Sequence, residues 1–266
     1  MMMKPNYKNW MPKGMIWGVF AGCMGCLALT LVFGLSGLLA DGTLKNVVFV
    51  IFLVATVFVA CVVLWLTLMH RVFSYDGKRQ MSRGIIDGVA DRVVLPEGGC
   101  GLDVGCGSGA LAIAVAKRNP QAYVKGVDRW GAEYASFSKN LCEENARIEG
   151  VADRTSFAKG DAVHLDFPDE SFDAVFSNYV YHNIPSRDRQ AILLETLRVL
   201  KKGGTFAIHD IFSHLKYGDM KAFVQRLKDM GYEQVELIDT TNGLFMTRWE
   251  ATWMTLSGSA ILVGKK

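Results

Sequence analysis

The sequence predicts an α/β protein: a doubly wound, mostly parallel seven-stranded sheet preceded by a transmembrane helical hairpin. Three observations carry this expectation. Two apolar stretches of membrane-spanning length stand near the start, short β-rich runs alternate with helical ones after residue 96, and the charges are divided unevenly between these parts. The chain of 266 residues is 50% hydrophobic and also 21% charged. That is too many charges for a multispanning protein and too much apolar residue for an ordinary soluble one.

The first apolar stretch, residues 15–40, and the second, residues 47–69, carry no charged side chain. As helices they would extend roughly 39 and 34 Å at about 1.5 Å per residue, enough to cross a bilayer. The six residues between them allow only an antiparallel return, so residues 1–70 read as a two-span anchor. The first stretch is longer than a signal-peptide core and lacks a well-placed cleavage pair, and it is expected to be retained. Lys4, Lys8 and Lys13 precede it, and Arg71, Lys78, Arg79 and Arg83 follow the second, whereas Lys45 and Asp41 cancel in the loop. The positive flanks place both termini and the C-terminal domain in the cytoplasm. Gly14, Gly18 and Gly22 recur every four residues as a stripe for close packing of the second helix, with homodimerisation through that stripe as the alternative.

Residues 71–95 form an amphipathic connection with Ile85, Ile86, Val89, Val93 and Val94 on one face, and residues 96–266 the globular domain. Strands are expected at 100–104, 122–127, 155–159, 172–177, 205–210, 234–239 and 260–264, with helices at 109–118, 131–150, 186–200 and 217–230. Beyond residue 69 the chain carries 25 basic and 25 acidic side chains. This neutral domain lacks the basic surplus that displaces counterions from nucleic acid, so no nucleic-acid partner is expected. Cys100, Cys106 and Cys142 show no metal-ligand spacing, and the Cys23/Cys26 pair lies inside an apolar run where a thiolate is costly. No metal site is expected.

The informative segment is L-D-V-G-C-G-S-G-A-L-A-I-A at residues 102–114, a strand running through three alternating glycines into a helix. Gly105, Gly107 and Gly109 permit a tight turn and close approach of a ligand to main-chain N–H groups at a helix start. Asp103 ends the first strand, Asp128 the second and Asp161 follows the third. A carboxylate at the second strand tip accepts ribose hydroxyls in nicotinamide and S-adenosylmethionine enzymes alike; the acid after the third strand does not belong to the nicotinamide pattern. Singly, each acid or glycine has an ordinary reading as a cap, a strand end or a packing residue. In this order they point to one nucleotide-like cofactor.

These residues resemble the class I S-adenosylmethionine-dependent methyltransferases, small-molecule branch, from about Asp76 to the C-terminus. The resemblance implies that Asp103, Gly105, Gly107 and Gly109 hold the methionine and ribose portion of S-adenosyl-L-methionine. Asp128 would take the ribose hydroxyls, Arg129 and Trp130 would flank the adenine, and Asp161 with Ala162 would read the adenine edge. Asn178, at the end of the fourth strand, completes the cofactor set. For Trp130, adenine contact and simple packing at a helix start stand as alternatives. The stretch F-P-D-E-S-F-D-A-V-F-S-N-Y-V-Y-H-N-I-P is similar to the fourth strand of that branch, and E-T-L-R-V-L-K-K-G-G-T-F-A-I-H-D to the fifth.

Methyl transfer from a sulfonium chiefly needs an acceptor lone pair held in line with the methyl group. An acceptor hydroxyl, thiol or protonated amine also needs a base, and open α/β sheets offer such groups at the carboxyl ends of their strands. His182 is the first candidate, with Tyr179 and Tyr181 beside it, and His209 and Asp210 at the end of the fifth strand are second choices. The tetrapeptide S-N-Y-V, where methyltransferases of amino groups on nucleobases or glutamine carry N-P-P-Y or D-P-P-Y, argues against those acceptors. Phe245, Met246, Trp249 and Trp253 within residues 243–256 would cover an apolar pocket, touch lipid headgroups or pack in the core. The expectation is a membrane-anchored enzyme methylating an O, S or N atom of a hydrophobic or amphipathic small molecule. The alternatives are a lipid-headgroup or protein methyltransferase and a catalytically idle cofactor-binding scaffold.

Overall fold

The computed structural model describes residues 4–131 and 136–266. They divide into two compact units, Asn9–Gln80 and the described residues of Met1–Lys8 together with Met81–Lys266. In the first unit, α1 (Lys13–Leu35) and α2 (Thr43–Phe73) are both long and apolar enough to cross a membrane. They pack as an antiparallel pair because small or polar side chains meet between them. The hydroxyls of Thr30 and Thr56 lie 3.1 Å apart, and the rings of Phe33 and Phe52 stack at 5.4 Å. Gly34 is glycine because a Cβ there would come within 2.6 Å of Phe49. The expected packing of α2 on Gly14, Gly18 and Gly22 does not occur. A Cβ at any of the three would meet nothing within 4 Å, and the close approach falls instead at Gly34, nearer the turn.

The second unit opens with α3 (Met81–Ala90), whose Met81, Ile85 and Val89 are buried against α4 (Ala110–Arg118). Seven strands follow: β1 (Cys100–Val104), β2 (Tyr123–Asp128), β3 (Thr155–Lys159), β4 (Phe172–Asn178), β5 (Leu200–Ile211), β6 (Glu233–Asp239) and β7 (Ser259–Lys265). Their order is β3-β2-β1-β4-β5-β7-β6. All neighbours are parallel except β7, which runs antiparallel between β5 and β6. This is the expected doubly wound architecture, and its strand order reverses between β1 and β4, the position where open α/β sheets bind ligands.

The central strands are apolar on both faces because helices cover both. Leu102, Val175, Phe206 and Ile208 are buried with Leu193 and Leu197 of α6 (Arg189–Arg198) and Phe223 and Leu227 of α8 (Met220–Asp229). Each such side chain contributes about 1.5 to 3 kcal/mol on leaving water. Helix starts follow the capping side chains rather than the apolar pattern. Asp188 accepts the N–H of Ala191, so α6 begins at Arg189, three residues later than expected. Asp219 accepts the N–H groups of Lys221 and Ala222, and Gly218 at φ +69° separates α8 from a short α7 (His214–Tyr217), splitting the helix expected over 217–230. Ser138 caps α5 (Lys139–Ile148), and part of the helix expected over 131–150 lies at residues 132–135, outside the described residues. β5 starts at Leu200 rather than 205, where a register shift lets Leu200 pair with Phe172 across the polar K-K-G-G segment. In the 243–256 stretch, α9 (Arg248–Trp253) carries a capping box between Thr247 and Glu250. Phe245 and Met246 are buried, while Trp249 is 75% exposed and takes no part in the core.

Candidate active site

The strand-to-helix turn after β1 is a backbone device. Gly105, Gly107 and Gly109 hold φ of +76°, +55° and +81°, a region that strains residues with a Cβ. At Gly105 a Cβ would also come within 2.3 Å of Val180. The N–H groups of Gly105 and Cys106 both donate to the Val127 carbonyl, tying the turn to the end of β2. Asp128 continues this tie. Its Oδ2 accepts the N–H of Gly107 at 2.8 Å and its Oδ1 that of Trp130 at 2.7 Å. The indole N–H of Trp130 closes the ring by donating to the Gly107 carbonyl at 2.9 Å. Asp128 keeps further lone pairs for a ligand hydroxyl.

Asp103 behaves differently. Its side chain is buried, and Oδ2 accepts the N–H of Ala112 in the first turn of α4. Burial pushes its carboxyl up to about 8, helped by the nearby charge of Asp128 and opposed by the Ala112 bond. It therefore holds the glycine turn against the helix. At the tip of β3, Asp161 is exposed, with Oδ1 on the N–H of Val163, and Ala162 beside it is half-buried. Gly160 donates to the Asp128 carbonyl, which brings the second and third acids to one edge. Arg129 is exposed at the same edge.

Across the switch point, the ends of β4 and β5 carry the second cluster. Asp210 is fully buried and accepts four bonds. Oδ2 takes the N–H groups of Tyr181 (2.8 Å) and His182 (3.2 Å), and Oδ1 takes that of Ile211 and the ring of His182, both at 2.6 Å. Asp210 Oδ1 is placed to accept from Nδ1 of His182, and in a neutral ring that tautomer leaves the lone pair on Nε2. The His182 side chain is 14% exposed, enough to be reached. Tyr179, at φ +56°, places its ring edge-on to both His182 and His209, and its hydroxyl meets Ser259 Oγ at 2.8 Å. Burial pushes its phenol well above the usual range, so it is a neutral group that donates or accepts.

Two sequence expectations are corrected by packing. Tyr181 does not face the open strand ends with His182: it is fully buried, with its hydroxyl 2.8 Å from Thr196 in the core under α6. His209 cannot serve as a base. Its Nδ1 bonds Asn178 Oδ1 at 2.8 Å and its Nε2 Thr240 Oγ1 at 3.0 Å, while burial lowers its pKa to about 3. As a neutral ring with both nitrogens occupied, it fixes the carboxamide of Asn178.

A family description, "Methyltransferase domain", matches residues 102–208, which span the glycine turn, Asp128, Asp161 and the His182 loop. Residues 102–208 are thus similar to methyltransferase domains. Over 141 residues the chain is 35% identical to methyltransferase GfsG of Streptomyces halstedii, covering 52% of this chain and 47% of that protein. Over 122 residues it is 32% identical to sterol 24-C-methyltransferase erg6 of Aspergillus fumigatus, covering 46% of this chain and 30% of that protein. The chain thus spans about half or less of these relatives' lengths. A solved geranyl diphosphate methyltransferase in complex with GPP and sinefungin shares the fold, with a TM-score of 0.55 and 15% identity over 71% of this chain and 79% of that one.

Around the strand ends, several contacts had no signature in the sequence. Tyr217 brings a buried hydroxyl, without a hydrogen-bond partner among the described residues, into the field of Asp210, and burial with that charge pushes its phenol far up. Lys216 Nζ donates to the His182 carbonyl at 3.3 Å. Thr240, Phe245 and Ser259 reach His209 and Tyr179 from β7 and the segment after β6. Except for Tyr217 and Asp210, these are contacts between residues at least 30 positions apart, which neither periodicity nor spacing reports.

Proposed function

We propose that the chain transfers the methyl group of S-adenosyl-L-methionine to an O, S or N atom of a hydrophobic or amphipathic small molecule, using His182 as the base. The observation that carries the reading is the His182–Asp210 pair on the strand ends that adjoin the glycine turn and Asp128. Asp128 would take the ribose hydroxyls, and Gly105 to Gly109 the methionine end. Arg129, Asp161 and Ala162 would flank the adenine, with Asn178, fixed by His209, at the mouth. The cofactor supplies an already activated methyl group. The protein's own residues then have two tasks, holding the acceptor in line and removing its proton. With Nδ1–H tied to Asp210, Nε2 of His182 takes that proton and the buried carboxylate stabilises the resulting imidazolium.

A second reading is favoured by the sterol 24-C-methyltransferase relative: an alkene carbon as acceptor. Methyl addition there leaves a carbocation, and the same Nε2 would remove a proton from the neighbouring carbon. Either acceptor partitions into membranes. The proposal accordingly includes a multi-pass membrane location with two spans, α1 and α2, and both termini and the catalytic domain in the cytoplasm. The open Gly14, Gly18 and Gly22 stripe leaves room for a homodimer. The test is methyl transfer from donor labelled in its methyl group to an organic extract of membranes. Label in an apolar product supports the reading; label in protein or in headgroups would replace it with the protein or lipid alternative.

A further inference from the structure

The segment before the first apolar helix belongs to the methyltransferase unit. Residues 4–8 lie against the glycine turn and α5, and one buried side chain holds them there. Asn145, 1% exposed on α5, accepts the N–H of Asn6 through Oδ1 at 2.7 Å and donates through Nδ2 to the carbonyls of Asn6 at 3.1 Å and Ser108 at 3.0 Å. Ser108 Oγ donates to the Tyr7 carbonyl at 2.8 Å. The Tyr7 hydroxyl donates to Glu149 at 3.0 Å, and Glu149 in turn holds Lys117 of α4 at 2.6 Å.

Ser108 stands between Gly107 and Gly109, both at positive φ, and its carbonyl and side chain are held by bonds from outside the turn. Two of these come from Asn145 and from the arm. A buried carboxamide is costly unless its donors and acceptor are paired, and two of the three bonds of Asn145 are to the arm. We propose that Asn145 and the Lys4–Lys8 arm are a positioning element for the glycine turn, so that cofactor affinity depends on residues that precede the first apolar helix. The inference rests on the S-adenosylmethionine reading above. Binding and arm docking are then linked: whatever factor the arm adds to ligand affinity, the ligand adds to arm docking.

The experiment uses full-length protein in detergent and titrates S-adenosylhomocysteine by calorimetry. Deletion of residues 2–8 and Asn145→Asp, which sets a carboxylate oxygen against two carbonyls, are expected to weaken binding at least tenfold. Val235→Ala, a core change in β6, lowers thermal stability and leaves affinity unchanged. In wild type, hydrogen exchange at the Asn6 amide should slow on ligand saturation by the factor that the arm deletion costs in affinity. Absence of ligand binding by wild type would remove the cofactor reading and this inference with it. Wild-type binding with equal affinity in the deletion and Asn145→Asp variants, or Asn6 exchange indifferent to ligand, would overturn the positioning role alone.

Discussion

In the proposed reading, proton transfer and control of the tautomer are divided between His182, which is reachable, and Asp210, which is fully buried. His182→Ala should lower turnover by about 10²- to 10⁴-fold with cofactor affinity nearly unchanged. The loss should shrink as pH rises and the acceptor ionises unaided; parallel pH profiles of equal height would assign the reaction to positioning alone. Asp103 offers a second test at this scale. Its folded-state pKa is raised from 3.8 to about 8 by burial, so protonation favours the folded state. Its contribution is fully present below about pH 4 and is lost as pH rises through 8. Relative to Asp103→Asn, wild type should lose stability across that window, on the order of several kcal/mol at about 1.4 kcal/mol per unit. Denaturation midpoints that keep a constant separation from pH 4 to 9 would contradict it. The residue types of the site were legible from the sequence, since strand-end acids and alternating glycines are local patterns. The partners were not: Asp210 lies 28 positions from His182, and the burial that neutralises His209 is set by Thr240 and Phe245.

At the scale of elements, β1 and β3 fall on the residues that the apolar runs indicate, because an acid or glycine closes each run. Helix starts were less legible. Apolar periodicity registers the buried face, whereas the first residue is chosen by a cap such as Asp188, Asp219 or Ser138. The early start of β5 is carried by pairing with Phe172 rather than by composition. The turn after β1 depends on both conformation and space. Gly105→Ala places a Cβ at φ +76° and against Val180. It should cost at least about 2 kcal/mol, since the left-handed region alone costs roughly 1 to 2. Because Val180 precedes the His182 loop, activity should fall with stability. A thermal midpoint within 1 °C of wild type, roughly the resolution of such a shift, would show that the turn relaxes freely.

For the whole molecule, the charge distribution and the two apolar helices lead to a testable topology. Cysteine-labelling reagents that do not cross membranes should reach Gly42→Cys from outside and should not reach the cytoplasmic side of the proposed domain. Labelling of a cysteine placed at exposed Lys202 but not of Gly42→Cys would invert the orientation and separate the domain from its cytoplasmic cofactor. Cofactor recognition is the property on which the acids, the glycine turn and the arm converge. Calorimetric titration of wild type and Asp128→Ala with S-adenosylhomocysteine tests it most directly. Removing charge-assisted hydrogen bonds should cost about 1.5 to 3 kcal/mol, a loss of affinity of tenfold or more, with NAD binding neither protein. Unchanged affinity in Asp128→Ala, or selective binding of NAD by wild type, would contradict the account.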